Sequence, residues 1–319
     1  MGIQGEPRSH TTVVGLLALL IVVVALALAA CGGSSTTAST SSSASPTAAA
    51  TQSASATSVH LVGSDSVEAT QKVVDAFGVG VAALSGTRFV PLYAGDVVYD
   101  DFAFGLHLEG KAAVLKELRR SLRQADGARV LARYADHGWG VLEHRWDFHT
   151  VHGVWIQPIT VFEIRDGKIV TESWYYQDPF QLPAGKPLEP KPLASLPGPP
   201  DTAAAAEAVA LKYAAALQAK DAAALAALSA PKIAFMDTAS STVGSSPPDV
   251  QTHYADIFDR ALAGSAFTHL RYACGRGWAA VIWTASGGGV DGEGATMLEI
   301  RDGNIARETL YYSSNQMPF

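Results

Sequence analysis

Three features of the sequence predict an α+β chain built from two tandem copies of one domain. The stretch VFEIRDGKIVTESWYYQD, beginning at Val161, returns as MLEIRDGNIARETLYYSS, beginning at Met297, with nine of the first sixteen positions identical. Within each copy, apolar residues first recur at helical spacing and then alternate with a period of two. Asp166-Gly167 and Asp302-Gly303 sit inside the repeated stretch, and Asp-Gly marks a tight hairpin turn because both positions tolerate φ > 0. Helices followed by a meander of antiparallel strands give an α+β domain, its helices packed on one face of the sheet.

Residues 1–30 stand outside this fold. After Arg8 the chain is apolar from Val13 to Ala30 and then turns abruptly to Cys, Gly and Ser, the pattern of a secretory signal. Leu28-Ala29-Ala30-Cys31 resembles the lipobox of bacterial lipoproteins, which implies cleavage before Cys31, lipid on its sulfur and a place on the outer face of the cytoplasmic membrane. The competing reading is an uncleaved helix, since roughly 18 apolar residues can just span a bilayer. Residues 31–60 are mainly Ser, Thr and Ala and bury too little apolar area to offset chain entropy, so they are expected to form a flexible tether. The first domain then covers 61–180. The segment from Pro179 to Pro200 holds eight of the sixteen prolines, and 181–201 is expected to be an extended linker before the second domain, 202–319.

In the first copy Val67, Val74, Phe77, Val81 and Leu84 form a helical stripe, and a short helix is expected over Phe89 to Tyr93. Asp96 to Asp101 reads as a strand. Val114, Leu115, Leu118 and Leu122 then share one face of a third helix. Strands follow at Arg129 to Ala135, Trp139 to His149, Trp155 to Arg165 and Lys168 to Gln177. The second copy repeats the order, and its third helix is announced by Ser-Ser-Pro-Pro-Asp before Val250, Tyr254, Ile257, Phe258 and Leu262.

Two helices, LYAGDVVYDDF, GLHLEGKAAVLKEL and the Arg-Asp-Gly-Lys-Ile hairpin together resemble the SnoaL-like branch of the nuclear transport factor 2-like superfamily. The resemblance covers nearly all of both copies. It implies two cone-shaped domains, each a curled sheet wrapped over helices with a pocket at the open end. Members include polyketide cyclases, ketosteroid isomerase, epoxide hydrolases and proteins that only bind a ligand or partner, so the fold does not select an activity.

Chemistry in such a cone needs a general acid or base held in an apolar cavity. Asp178 looks similar to the position where SnoaL-like enzymes carry their acid/base aspartate, although an aspartate entering a Pro-rich linker is also ordinary turn chemistry. Alternation along Trp139 to His149 puts His144 on the same face as Leu142, Trp146 and Phe148, as a second acid/base candidate or a pocket wall. Asp101, Trp146, Phe148, Tyr175 and Tyr176 are the candidate ligand-binding residues. His149, His152 and Asp147 lack a further ligand nearby, which argues against a metal. No phosphate-binding loop, dinucleotide fingerprint or zinc spacing occurs, so no cofactor is implied. The net charge of −7 and the absence of a long basic run argue against nucleic acid. With Cys31 lipidated, Cys274 has no disulfide partner, and each domain must rest on its apolar core.

Carried across the repeat, Asp101 becomes Asp237 and Tyr175-Tyr176 becomes Tyr311-Tyr312, but Asp100 becomes Met236, Asp178 becomes Ser314 and, with one residue of slippage, His144 becomes Val281. The second copy is thus expected to keep the frame and lose the polar groups. Three function classes follow: a lipid-anchored protein binding a small apolar or amphipathic molecule in the first cone; a cyclase, isomerase or hydratase using Asp178 or His144; and an interaction module in which the two domains pack on each other.

Overall fold

The computed structural model describes residues 58–148, 154–177 and 198–313. Cys31, His149, His152 and Asp178 lie outside the described residues.

The first domain opens with α1 (Val67–Ala82), whose N-cap Ser66 accepts a hydrogen bond from the Ala69 amide at 3.2 Å. Its stripe of Val74, Phe77 and Val81 is fully buried. A short helix α2 (Gly86–Phe89) lies one turn earlier than the sequence suggests, and Tyr93, expected to be helical, starts strand β2 (Tyr93–Asp101). Then come β3 (Leu106–Glu109), α3 (Lys111–Gln124), β4 (Gly127–Asp136), β5 (Trp139–Phe148), β6 (Val154–Ile156), β7 (Ile159–Arg165) and β8 (Lys168–Tyr175). The expected strand Trp155 to Arg165 is broken between β6 and β7 at Gln157-Pro158, where proline has no N–H to give to a ladder. Pro158 still accepts from the His144 amide at 3.1 Å.

The second domain repeats this with α4 (Ala203–Ala219), α5 (Ala222–Ala227), β9 (Ser229–Asp237), β10 (Thr242–Gly244), α6 (Pro247–Asp256), β11 (Ala266–Gly275), β12 (Trp278–Gly287), β13 (Val290–Arg301) and β14 (Asn304–Tyr312). Ser246 is the N-cap of α6, but its hydroxyl donates to Asp249 Oδ2 at 2.8 Å instead of capping a backbone amide. A π-helical turn, Ile257–Ala261, follows α6 and helps bury Phe258 and Leu262.

The two sheets have the same topology. Their orders are β3-β2-β8-β7-β5-β4 and, read from the other end, β10-β9-β14-β13-β12-β11. The meander is antiparallel, as expected, and in each sheet the first long strand closes the curl by running parallel to the last: β2 beside β8, β9 beside β14. Parallel neighbours need a long connection, and here the rest of the domain supplies it. Each Asp-Gly turn has both residues at positive φ, 51° and 66° in the first copy, 52° and 72° in the second. The aspartate before the first helix clamps each turn: Asp65 accepts from the amides of Asp166 and Gly167 at 2.9 and 2.8 Å, and Asp201 accepts from those of Asp302 and Gly303 at 3.1 and 2.8 Å.

Val59 and His60, placed by the sequence reading at the end of the tether, form β1 (Val59–His60) and pair with β11 of the second domain. Leu61 then donates to Tyr272 O at 2.7 Å. The chain therefore adds an edge strand to the second sheet before it enters the first domain.

The domains meet through the outer faces of their sheets. Val141, Ile159, Val161 and Tyr175 pack with Trp278, Ile282, Met297 and Tyr311 in one buried cluster. At its edge Arg307 Nη1 and Nη2 donate to Glu143 Oε1 and Oε2 at 2.8 and 2.6 Å, and both side chains are buried. Glu299 at 3.0 Å and the Tyr134 hydroxyl at 2.8 Å complete the surroundings of Nη2. Removing one member of a buried, hydrogen-bonded pair strands the other charge. Glu143→Leu is expected to cost about 3–5 kcal/mol in chemical denaturation, and Glu143→Leu combined with Arg307→Met should recover much of that loss.

Candidate functional site

The concave face of the first sheet, closed by α3, encloses a cavity of about 330 Å³. At about 30 Å³ of liquid volume per water, that is room for roughly ten water molecules or one small organic ligand. Strand alternation determines its lining: Tyr99 and Asp101 from β2, Trp146 and Phe148 from β5, Trp174 from β8 and Tyr176 just beyond it all face inward, and Glu117, Leu118, Arg120 and Ser121 come from α3. The indoles of Trp146 and Trp174 meet edge to face, centroids 5.5 Å apart, and Trp174 is set similarly against Tyr176 at 6.4 Å.

Two carboxyls stand out. Asp101 Oδ1 accepts from the amides of Ala103 and Phe104 at 3.1 and 3.2 Å, and Oδ2 accepts from the Tyr176 hydroxyl at 2.7 Å. Burial raises its pKa to about 6, against the pull of those hydrogen bonds. Glu172 lies beside the cavity, fully buried, and accepts from the Tyr93 hydroxyl and, at 2.5 Å, from the Trp174 indole. Burial raises it to about 7, with the two donors pulling down. On the rim, Glu117 is bound by Arg120 through Nε at 3.1 and 2.9 Å, and its pKa falls as a result.

The residues singled out by sequence separate clearly. Asp101, Trp146, Phe148 and Tyr176 line the cavity. His144 is fully buried behind the lining: Nε2 lies 2.8 Å from Thr160 Oγ1, Nδ1 accepts from the Trp146 indole at 2.7 Å, and its ring meets Trp174 edge-on at 4.9 Å. Both nitrogens are thus engaged, and burial lowers its pKa to about 3, which keeps it neutral. Tyr175, expected with the ligand-binding set, projects from the opposite face of β8, where it stacks on Phe102 at 4.9 Å and donates to Glu293 Oε1 at 2.7 Å. Period two makes this unavoidable once Trp174 and Tyr176 face inward. Asp100 also sits away from the cavity, 2.7 Å from His107 Nδ1. Glu172 was not singled out from sequence. The signal was its recurrence as Glu308, a carboxylate kept at the same place in the repeated strand.

The second cone is filled. Its cavity is about 20 Å³, with apolar and aromatic walls including Phe258, Phe267, Trp283 and Leu310. The turns at Gly138 and Gly277, both at positive φ, set the register of β5 and β12 and place His144 opposite Trp283, not Val281. Trp283 Nε1 donates to Thr296 Oγ1 at 3.1 Å, occupying the role that His144 has at Thr160, and its larger ring fills the hollow. Glu308, the counterpart of Glu172, accepts from the hydroxyls of Tyr213, at 2.7 Å, and Tyr254, and burial again raises it to about 7. Among the described residues no group of three or more His, Cys, Asp or Glu side chains is placed to hold a metal ion.

Compared with known proteins, the chain matches the family described as SnoaL-like domain twice, over residues 71–172 and 210–308. No curated protein matches it. Among solved structures it is similar to an NTF-2 like protein of unknown function from Burkholderia xenovorans LB400 (22% identity, 37% of this chain and 89% of that one, TM-score 0.31). It is also similar to a protein with a ketosteroid isomerase-like fold from Catenulispora acidiphila DSM 44928 in complex with trimethylamine (19%, 34% and 86%, TM-score 0.30). A third is an LEH-like epoxide hydrolase from M. tuberculosis (20%, 34% and 79%, TM-score 0.30).

The shifted carboxyls have a consequence for stability. A carboxyl raised in the folded state stabilises the fold fully below its unfolded pKa and loses that contribution as pH rises through the folded value. Glu172 and Glu308 are raised from 4.5 to about 7 and Asp101 from 3.8 to about 6. His144, lowered from 6.5 to about 3, works the other way and costs stability as pH falls below 6.5. Each group contributes about 1.4 kcal/mol per pH unit inside its window, so the two glutamates above pH 6, joined by Asp101 below it, outweigh the one imidazole between pH 7 and about 4.5. The thermal midpoint is expected to rise on acidification over that range, and Glu172→Gln to flatten the rise. A midpoint that falls throughout would contradict the assignment.

Proposed function

The chain belongs to the SnoaL-like domain family in both of its halves, and from that premise we propose that its first cone binds a small apolar or amphipathic molecule while the second serves as a rigid packing partner. The observation that carries this reading is the difference between the hollows: about 330 Å³ lined by aromatic rings in the first copy, about 20 Å³ in the second. Loss of water from apolar walls favours an apolar occupant. The run Val13 to Ala30 followed by Cys31 supports attachment through lipid on Cys31, with the domains held outside the cytoplasmic membrane, where apolar solutes partition.

A second reading is proton-transfer catalysis in the same cavity. It is favoured by Asp101, a cavity-lining carboxyl with a pKa near 6, which can exchange a proton close to neutral pH. His144, with both nitrogens engaged, suits a wall better than a base; Asp178 is the other carboxyl this reading would use.

Trp146 and Trp174 provide the assay, since both indoles line the cavity. Titration with a hydrophobic probe should change tryptophan fluorescence. Ser121→Trp, which places a large ring in the hollow, should weaken binding at least tenfold, while Val243→Trp on the exposed surface of the second domain should leave it unchanged. Equal binding by the Ser121→Trp protein would overturn the reading. For the anchor, Cys31→Ser is expected to move the protein from the membrane to the soluble fraction of cells, and retention in the membrane would count against lipid on Cys31.

A further inference from the structure

We propose that the occupant of the first cone is an organic cation, a quaternary ammonium on an apolar body, seated among the rings of Tyr99, Trp146, Trp174 and Tyr176 beside the Asp101 carboxylate. This rests on the ligand-binding reading of the same cavity and narrows its chemistry.

The charges of the lining point this way. They are Asp101, Glu117 and Arg120. Arg120 is committed to Glu117, with Nε at 2.9 and 3.1 Å and Nη2 at 2.5 Å from its carboxylate oxygens. That pair is neutral as a unit, which among the described residues leaves Asp101 as the net charge of the lining and no spare cation there to receive an anionic ligand. Asp101 is only 6% exposed, and its oxygens already accept two backbone amides and one hydroxyl. An ammonium without N–H groups needs no further hydrogen bond from it, only its field, which is poorly screened away from water. Four aromatic side chains, Tyr99, Trp146, Trp174 and Tyr176, share the lining with Asp101, and aromatic rings are natural neighbours of such a cation.

The second copy supplies the internal comparison. It keeps the same tyrosine–aspartate contact, Tyr312 to Asp237 at 2.7 Å. There the carboxylate has a partner from the chain itself: His253 Nε2 lies 2.8 Å from Asp237 Oδ2, and the imidazole sits against Phe235 and Tyr254 at 5.1 and 6.1 Å. A ring able to carry positive charge thus rests between aromatic rings and an aspartate. α3 and α6 begin at Lys111 and Pro247, so His253 occupies the place that Glu117 has in the first copy. With a glutamate there that is already paired to Arg120, Asp101 has no side-chain cation against it as Asp237 has its imidazole, and the positive group comes with the ligand.

The test uses the full two-domain protein and two probes of one shape, phenyltrimethylammonium and its neutral counterpart tert-butylbenzene, each followed by tryptophan fluorescence at pH 7.5. The cation is expected to bind at least tenfold more tightly. Asp101→Asn should bring its affinity down to that of tert-butylbenzene without altering the neutral probe. Glu117→His, which gives the first cone the imidazole of the second, should weaken the cation by a similar factor. Circular dichroism melts identify any variant that fails to fold, and the wild-type comparison of the two probes decides the matter without them. Equal or tighter binding of tert-butylbenzene overturns the cation proposal and leaves the ligand-binding reading standing. Binding of neither probe counts against both.

Discussion

The contact between Glu143 and Arg307 sets the terms for the rest of the molecule. A bidentate ion pair is buried between the outer faces of the two sheets, at the edge of the cluster formed by Val141, Val161, Tyr175, Ile282, Met297 and Tyr311. Each central strand is then covered on both sides, by the partner domain on one face and by its own helices or cavity on the other. Because side chains alternate, every inward residue has an outward neighbour that must suit a dry interface. Glu143 next to His144, and Tyr175 between Trp174 and Tyr176, are products of that constraint. Glu143 without Arg307 would be a charge stranded out of water, and Arg307 without Glu143 would keep only Glu299 as a counter-charge.

Within this shared frame the two cones diverge by side-chain volume. Threonine, at 160 and 296, is kept in both copies; its partner is the imidazole of His144 in one and the larger indole of Trp283 in the other. The buried glutamate is kept too, although its donors change from Tyr93 and Trp174 to Tyr213 and Tyr254. Retention of the acid with replacement of its partners fits a structural role, since a buried carboxyl can be held in several ways provided donors reach it. The tyrosine–aspartate contact is also common to both, and what separates them is the residue facing it from the third helix, Glu117 or His253.

Much of the frame was legible in the sequence. Helical stripes, the Asp-Gly turns and the duplication follow from local rules, and the repeat let each half check the other. The boundaries that moved did so for identifiable reasons. Tyr93 entered a strand because its side chain reaches Glu172, a contact 79 residues away along the chain. Pro158 broke a strand that periodicity alone would continue. His144 was placed on the correct face but assigned the wrong counterpart, because register after a length change depends on where the Gly138 and Gly277 turns fall.

The sequence by itself determined the α+β class, the duplication and the shared strand face of Trp146 and Phe148, because these depend on the period of side chains along a backbone and on turn residues that tolerate positive φ. Only the tertiary structure decided that one cone is open and the other filled, that Tyr175 belongs to the interface, and that Asp101 and Glu172 are buried carboxyls. Those outcomes depend on volumes and dielectric surroundings assembled from strands far apart in the chain, which no local pattern encodes.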